Sequence, residues 1–536
     1  MSKKLVSWIL SSLFVVVWLT VANAAPPLKI ASGFIRIGQE GFGDSANSYS
    51  WGVSWFKGNL YVGTNRHHLH SMYEALSFMP GSPIDPSLIP PDLIPEPPPS
   101  TVWGSEDWAE AFRAEIWRYN KRQGWVRVHQ APVIGPFPGT PPFPLEAYVP
   151  QSYGYRALQE FNGYLYACGI GTWMPPIANN TILRSPSGDA GTWENVSGVI
   201  ALTTNIRAIT TWNGKIYVAA SVPGGGAVVF ASADPKNEGW TKVSLPGFGK
   251  LANSEIYDLA VFNNHLYAST VNLVTGFEVW KTNGTYAEPA ENGYNWTPVI
   301  QNGFGDTWNQ YGMSMTVFKN YLYLGTAVGI GMVMKIDEDT GQPKPVGTRA
   351  FELIRIDKTD KATLIVGNKE ASDPIEGGPP VPRVPLSKMS AGFANPFNVY
   401  AWNMSVYNGW LYVGTFDLST FIIAMLEYDP GSVAEILQQY APSLPPQMAN
   451  LIASGSLKLL KKTFAGGDLW KSWDGVNWLP VTLNGFNNPY NYGIREIVPI
   501  PSGRSTPALA IGTANPFTGK PEGGCEVWLQ GMLPAY

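Results

Sequence analysis

An all-β fold built from a repeated four-stranded antiparallel unit is what this sequence predicts, and three observations predict it. The composition suits many turns and large buried side chains: 536 residues include 56 Gly, 46 Pro and 21 Trp, with 13% aromatic and only 14% charged residues. A short strand motif of the form Leu-Tyr-x-Gly-Thr recurs along the chain, each time behind an Asn-Gly-like turn. A segment near the start, FIRIGQEGFGD from Phe34, matches an internal one, VIQNGFGD from Val299, so the two ends of the repeat array are expected to meet. A disordered chain would carry fewer aromatics and more charge, and a coiled coil would be dominated by Ala, Glu, Lys and Leu; neither fits.

The second strand of each unit reads LYVGT from Leu60, LYACG from Leu165, IYVAA from Ile216, LYAST from Leu266, LYLGT from Leu322, LYVGT from Leu411 and LAIGT from Leu509. The turns ahead of them (FKGN, FNGY, WNGK, FNNH, FKNY, YNGW and IPSG) join it to a first strand as a hairpin. Third strands are expected at EIWR from Glu115, TILR from Thr181, VVFA from Val228, EVWK from Glu278, ELIR from Glu352, DLWK from Asp468 and EVWL from Glu526. Fourth strands follow at WVRV, WENV, WTKV, WTPV, ATLIV and WLPV. The last unit has no fourth strand of its own, so the strand around Phe34 is expected to complete it. Closure of that kind removes the open sheet edges that invite aggregation. The expected architecture is a seven-bladed β-propeller occupying residues 25–536 as one domain.

These motifs resemble the broad group of Asp-box and kelch-like secreted propellers, which includes sialidase-type and polysaccharide-lyase-type enzymes. The resemblance covers nearly the whole chain after residue 24. Ser472-Trp473-Asp474-Gly475-Val476-Asn477-Trp478 looks like a shortened Asp box, a turn with a structural role in that group. The resemblance implies fold; fold alone does not specify activity.

At the N-terminus, Lys3 and Lys4 precede an apolar run from Leu5 to Val21 and the small-x-small ending Ala22-Asn23-Ala24. This is the pattern of a secretory signal peptide cleaved after Ala24, and it implies a periplasmic or extracellular protein with no membrane span after cleavage. Loss of the two lysines takes the net charge from −4 to −6, which disfavours nucleic acid as a partner. Cys168 and Cys525 fall in units separated by another. A disulfide needs Cα atoms within about 7 Å, so both are expected as unpaired buried thiols.

Two insertions interrupt the repeat between second and third strands. Residues 71–110 contain SPIDPSLIPPDLIPEPPPS, which must be extended and cannot pair as a central strand. Residues 416–466 carry apolar segments at helical spacing around Ile422–Leu426, Val433–Tyr440 and Met448–Leu460. Both are expected on one face of the ring, as a lid or a packed cap.

Aligning the first strands on their turns puts Trp51, Arg156, Arg207, Tyr257, Met313, Trp402 and Arg495 at one equivalent position around the axis. Three arginines in one register could hold a carboxylate or sulfate; ion pairing between blades is the structural alternative. Thr64-Asn65-Arg66-His67-His68-Leu69-His70 ends a strand within that arc. If it stays extended, His68 and His70 point the same way and are candidates for a divalent metal. Asn47, Asn253, Asn309, Asn398 and Asn491 recur ahead of the first strands, most simply as turn caps, while Trp173, Trp308 and Tyr490 could stack on sugar rings. Glu255 and Asp258 could act as a base or pair with the arginines.

The function these features suggest is an exported propeller that binds an acidic glycan or a protein partner on its central loop face. The ligand contacts would be Trp51, Arg66, Arg156, Arg207, Arg495, Trp173, Trp308 and Trp402. The alternative is a polysaccharide lyase or sialidase-like hydrolase acting on an acidic sugar. In its lyase form an arginine would neutralise a uronate carboxylate, His67 or His68 would abstract the adjacent proton, and Tyr153 or Tyr492 would protonate the leaving oxygen.

Overall fold

The computed structural model describes residues 33–70, 104–138, 146–171, 180–329, 333–336, 343–374, 381–428, 461, 465–501, 507–517, 522–531 and 533. The expected signal segment, the Pro-rich stretch, Trp173 and the apolar segments after residue 428 lie outside the described residues.

The chain forms successive four-stranded antiparallel units. Asn47–Phe56, Asn59–Arg66, Glu115–Asn120 and Gly124–Gln130 pair in that order. Gly154–Phe161, Tyr164–Ile170, Thr181–Ser185 and Glu194–Asn195 form the next unit. Asn205–Trp212, Lys215–Ser221, Ala227–Ser232 and Thr241–Lys242 follow. Then come Glu255–Phe262, His265–Val271, Val279–Thr282 and Thr297–Ile300. Tyr311–Phe318, Tyr321–Ala327, Leu353–Ile356 and Ala362–Val366 make another. Asn398–Tyr407, Trp410–Asp417, Leu469–Ser472 and Trp478–Thr482 come after it. Gly493–Ile500, Ala508–Ala514 and Val527–Gln530 are completed by the N-terminal strand Phe34–Gly38, with Phe34 opposite Gln530. Each first strand lies against the first strand of the next unit, and Gly493–Ile500 lies against Asn47–Phe56, so the sheets stand around an axis as a β-propeller.

Sequence explains this local structure directly. The hairpin turns need positive φ at consecutive residues, and Asn162 (φ 47) with Gly163 (φ 78) or Asn213 (φ 45) with Gly214 (φ 71) supply it. Alternating apolar residues then face neighbouring sheets. Phe161, Tyr166 and Ile182 of one unit, for example, pack with Ile216, Val218 and Val228 of the next.

A buried polar brace recurs among the described residues. The side-chain amides of Asn47, Asn253, Asn309, Asn398 and Asn491 donate to Gly41, Gly247, Gly303, Gly392 and Gly485 carbonyls at 2.9–3.0 Å. They also donate to Glu115, Glu278, Glu352, Asp468 and Glu526 at 2.7–2.9 Å. The recurring asparagines therefore hold each loop to its third strand. The Trp two residues after the acid donates to the same carboxylate at Glu115, Glu278, Asp468 and Glu526, and stacks on a loop Phe, as in Phe248–Trp280 at 5.1 Å. Gly247 is required there: its φ is 57 and a Cβ would meet the Asn253 carbonyl oxygen at 3.1 Å. The Gly154 unit lacks the acid, and Ser152 and Thr181 hydroxyls bond at 2.8 Å in its place.

The described parts of the two insertions pack in different places. From the second, helix Ser419–Tyr428 sets Phe421 4.8 Å from the Tyr492 ring and 5.9 Å from Phe416. From the first, helix Glu106–Ala111 packs on strands Glu146–Pro150 and Val133–Pro138, with Trp108 and the following Phe112 fully buried. Two hairpins that the repeat pattern does not reveal are also present, Val133–Pro138 with Glu146–Pro150 and Val333–Ile336 with Pro343–Gly347. Cys168 and Cys525 are buried and free. Among the described residues no helix is long and apolar enough to cross a membrane.

Candidate functional site around the axis

Every residue in the aligned register sits at a break in the strand ladder. The register of first strand against second skips one residue between Ser50 and Gly52, Tyr155 and Ala157, Ile206 and Ala208, and Ile256 and Asp258. It skips again between Gly312 and Ser314, Ala401 and Asn403, and Ile494 and Glu496. Trp51, Arg156, Arg207, Tyr257, Met313, Trp402 and Arg495 are the skipped residues. A bulge frees one residue from pairing and re-aims its side chain; repeated around the ring, it forms a layer of side chains at the centre.

That layer is aromatic and cationic. Trp51, Met313 and Trp402 belong to one buried cluster with Tyr49, Tyr490 and Tyr492, and Tyr257, Trp308, Tyr311 and Tyr400 pack against it. Arg156 lies over the Trp51 ring at 4.4 Å, Arg207 over Tyr257 at 4.4 Å and Arg495 over Trp402 at 5.5 Å. The hydroxyls of Tyr49 and Tyr492 contact each other, and His68 packs on Tyr49 at 4.2 Å.

The three arginines are not equivalent. Arg207 is held in a fork by Glu255, with Nε at 2.8 Å from Oε2 and Nη2 at 3.0 Å from Oε1. Burial works against the Glu255 charge, yet Arg207 and further donors bring its pKa below the usual value. Arg495 donates to Glu496 at 2.9 Å. Arg156 donates only to neutral acceptors, Asn205 Oδ1 at 3.1 Å and the Ile206 carbonyl at 3.0 Å. Its Nε, like those of Arg207 and Arg495, is buried without a hydrogen-bond partner; what sets Arg156 apart is that among the described residues no carboxylate forms a direct ion pair with it. Burial, and then the Arg207 charge, push its pKa well below the ordinary value. A guanidinium keeps its proton, so among the described residues Arg156 is a buried charge with no direct counter-ion, compensated only from a distance by Glu255.

The residues just after the bulges form a second layer: Gly52, Ala157, Ala208, Asp258, Ser314, Asn403 and Glu496. Burial raises Asp258 to about 7 and Glu496 to about 8, the latter further aided by Asp258 and opposed by Arg495. Arg207, Glu255, Arg495 and Glu496 lie deep in the molecule yet keep 14%, 20%, 12% and 15% of their side-chain exposure, so solvent reaches the centre.

Several expected site residues lie elsewhere. Arg66 is taken up by Asp44 at 2.8 Å and the Ala111 carbonyl at 3.0 Å. Tyr153 packs on Trp108 and Phe112, away from the axial cluster. His67 packs 5.1 Å from Phe112, and the extended segment on which the metal expectation at His68 and His70 depended is not what the chain forms. The chain turns at His67 (φ 46) into a helical segment, sending His70 to Phe112 at 5.5 Å while His68 goes to Tyr49. Among the described residues no group of three His, Cys, Asp or Glu could hold a metal ion. Burial, reinforced for His68 by the arginines and for His67 by Arg66, lowers both histidines to about 3, so each is neutral at ordinary pH and a poor proton abstractor. Trp308 borders the cluster with its indole N–H buried and without a hydrogen-bond partner. Glu496 went unnoticed in the sequence, although it adjoins Arg495 and shares its register with Asp258.

No family model and no curated protein matches this chain. Among solved structures, the chain is similar to a GH43 β-xylosidase/α-arabinofuranosidase from a compost microbial metagenome, in complex with xylotriose. Identity is 11%, coverage is 63% of this chain and 98% of that one, and the TM-score is 0.29. A GH43 α-L-arabinofuranosidase from Clostridium thermocellum has 14% identity, 48% and 80% coverage and a TM-score of 0.24. The Bombyx mori GH32 β-fructofuranosidase has 13% identity, 62% and 63% coverage and a TM-score of 0.29. Overlaps at those scores carry no argument about activity.

Proposed function

We propose that this protein is an exported seven-bladed propeller of residues 25–536 that binds an acidic sugar of a glycan at its axial cluster. The closed ring of four-stranded units supports the blade count, and the pattern of residues 3–24 supports export. The resemblance to Asp-box propellers rests on the turn at Ser472–Trp478, where Asp474 Oδ1 accepts from the Val476 and Asn477 amides at 2.8 and 2.7 Å. The observation that carries the ligand class is Arg156. Burying a cation without a direct counter-ion is costly, and a ligand carboxylate or sulfate would supply one. Trp51, Tyr492 and Trp402 would offer apolar faces to the sugar ring, and His68 a neutral hydrogen-bonding group.

The test is thermal unfolding of the protein against neutral sugars, uronates, sialic acid and sulfated glycans, since a ligand of the folded state raises the midpoint. A shift confined to acidic sugars, lost in Arg156→Met, supports the reading. No shift with any of them overturns it in favour of a protein ligand. A second reading, a lyase or sialidase-like hydrolase on the same sugar, is favoured by the two carboxyl groups at Asp258 and Glu496 that keep their protons near neutrality, as a general acid must. Release of product from acidic glycosides would establish it.

A further inference from the structure

The layer beneath the arginines holds two acids whose environments differ from those of the buried glutamates that brace the loops. Among the described residues, Glu115, Glu278, Glu352 and Glu526 each have a cation within 3.0 Å. Asp258 has none. Its Oδ1 accepts the Leu259 amide at 2.8 Å and its Oδ2 accepts the Met315 amide of the neighbouring first strand at 2.6 Å. Glu496 has one cation, Arg495, and an amide contact from Asn403 at 3.4 Å. Arg495 in turn has Glu496 as its ion-pair partner, so the protonation of this one carboxyl decides whether Arg495 is neutralised or free to face an anion.

The surroundings of both acids are accounted for. Around Glu496, its own strand contributes Arg495, the flanking strands Asn398–Tyr407 and Asn47–Phe56 contribute Tyr400 and Tyr49, and Asp258 acts on it across the ring. Its partner strand Ala508–Ala514 has no titratable residue. Around Asp258, its own strand contributes Glu255 and Tyr257, the flanking strands Arg207 and Tyr311, and Arg495 acts from across the ring. His265 and Tyr267 lie on its partner strand His265–Val271. His68, near the arginines, stays neutral.

We propose that Asp258 and Glu496 are the proton-holding half of the anion site. When a ligand's negative charge docks beside Arg156 and Arg495, this pair takes up a proton, so affinity is highest on the acid side of neutrality and is lost in alkaline medium. This rests on the anion-binding reading above and adds its regulation. The direction follows from electrostatics. An added negative charge disfavours ionised carboxylates nearby and raises their pKa, so the bound state holds more protons than the free state. Because both acids titrate near neutrality, the linkage falls where it can be used. The two will titrate as a pair, with apparent values that belong to both.

The experiment is calorimetric binding of D-glucuronate and of sulfate to the full chain between about pH 6 and pH 9, where neither probe changes charge. Measurement in buffers of differing ionisation enthalpy counts the protons exchanged. The expected result is net proton uptake and an affinity that falls about tenfold across the range, since one pKa unit corresponds to a tenfold factor. Glu496→Gln should flatten the dependence, and Asp258→Asn, a separate fold test, should reduce it. Binding that is equally tight throughout, with no proton exchanged, overturns the inference and leaves the anion site standing. If no probe binds at any pH, the anion site itself falls. The proton-holding pair is then judged by carbon-13 carboxyl NMR of the ligand-free protein, in which titration of residue 496 near its ordinary value overturns it too.

Discussion

Replacing Arg156 and Arg207 separately by Met distinguishes an arginine kept for a ligand from one kept for the fold. Arg156 is buried and Arg207 half-buried, both lie over an aromatic ring at 4.4 Å, and both occupy a bulge of the same register. In Arg207→Met, Glu255 loses a two-point partner at 2.8 and 3.0 Å and keeps the Asn205 amide at 2.8 Å. Leaving one member of a buried pair behind costs about 3–5 kcal/mol. In Arg156→Met the losses are two hydrogen bonds to neutral acceptors, about 1.5–3 kcal/mol each for a charged donor, and a cation–π contact of about 1–2 kcal/mol. Against them stands relief of a buried charge with no direct counter-ion, a penalty of several kcal/mol. The two terms oppose each other, so the loss of stability should be smaller than in Arg207→Met, while binding of acidic sugars is abolished. Urea unfolding followed by tryptophan fluorescence gives the stability difference between the variants, and thermal shift with glucuronate gives the binding. If Arg156→Met is as damaging to the fold as Arg207→Met, Arg156 is structural and the reasoning fails.

Asn253 makes four buried hydrogen bonds, to Gly247, Glu278, Thr270 and Asn272. Asn253→Ala should cost roughly 3–6 kcal/mol, read by urea unfolding, and a cost under about 1 kcal/mol would refute the brace. Among the described residues the buried pair Asp417 and Asp468 has no cation, and burial raises both, Asp468 to about 6 and Asp417 well above its ordinary value, helped by the Asp468 charge. Their folded-state values exceed the unfolded ones, so their stabilisation is full below about pH 4 and is lost as pH rises through about 6 and beyond. An unfolding series from pH 5 to about 8 should show that decline, and Asp468→Asn should lessen it. Burial pushes both thiols up to about 12. A thiol reagent should therefore find neither cysteine in the native protein and both after denaturation.

Much of the fold was legible because its signals are local. A turn with positive φ admits Asn and Gly, a strand buried on both faces reads as apolar, and the match of residues 34–44 to an internal loop located the strand that pairs with Val527–Gln530. The equivalence of Trp51, Arg156, Arg207 and Arg495 was legible for the same reason, since each stands at a set distance from its turn. Three things depended on the assembled ring. The bulge at every aligned position arises from pairing with the second strand, which one strand's sequence does not describe. The separation of His68 from His67 and His70 follows from a turn at His67 set by packing against Phe112 and Tyr49. The arginines' different fates turn on which carboxylates the neighbouring strands bring alongside, because charge compensation acts through space. The sequence by itself determined the repeating unit and the side chains offered to the axis; only the tertiary structure decided that Glu255 neutralises Arg207, that Glu496 holds Arg495 and that Arg156 has no direct counter-ion among the described residues.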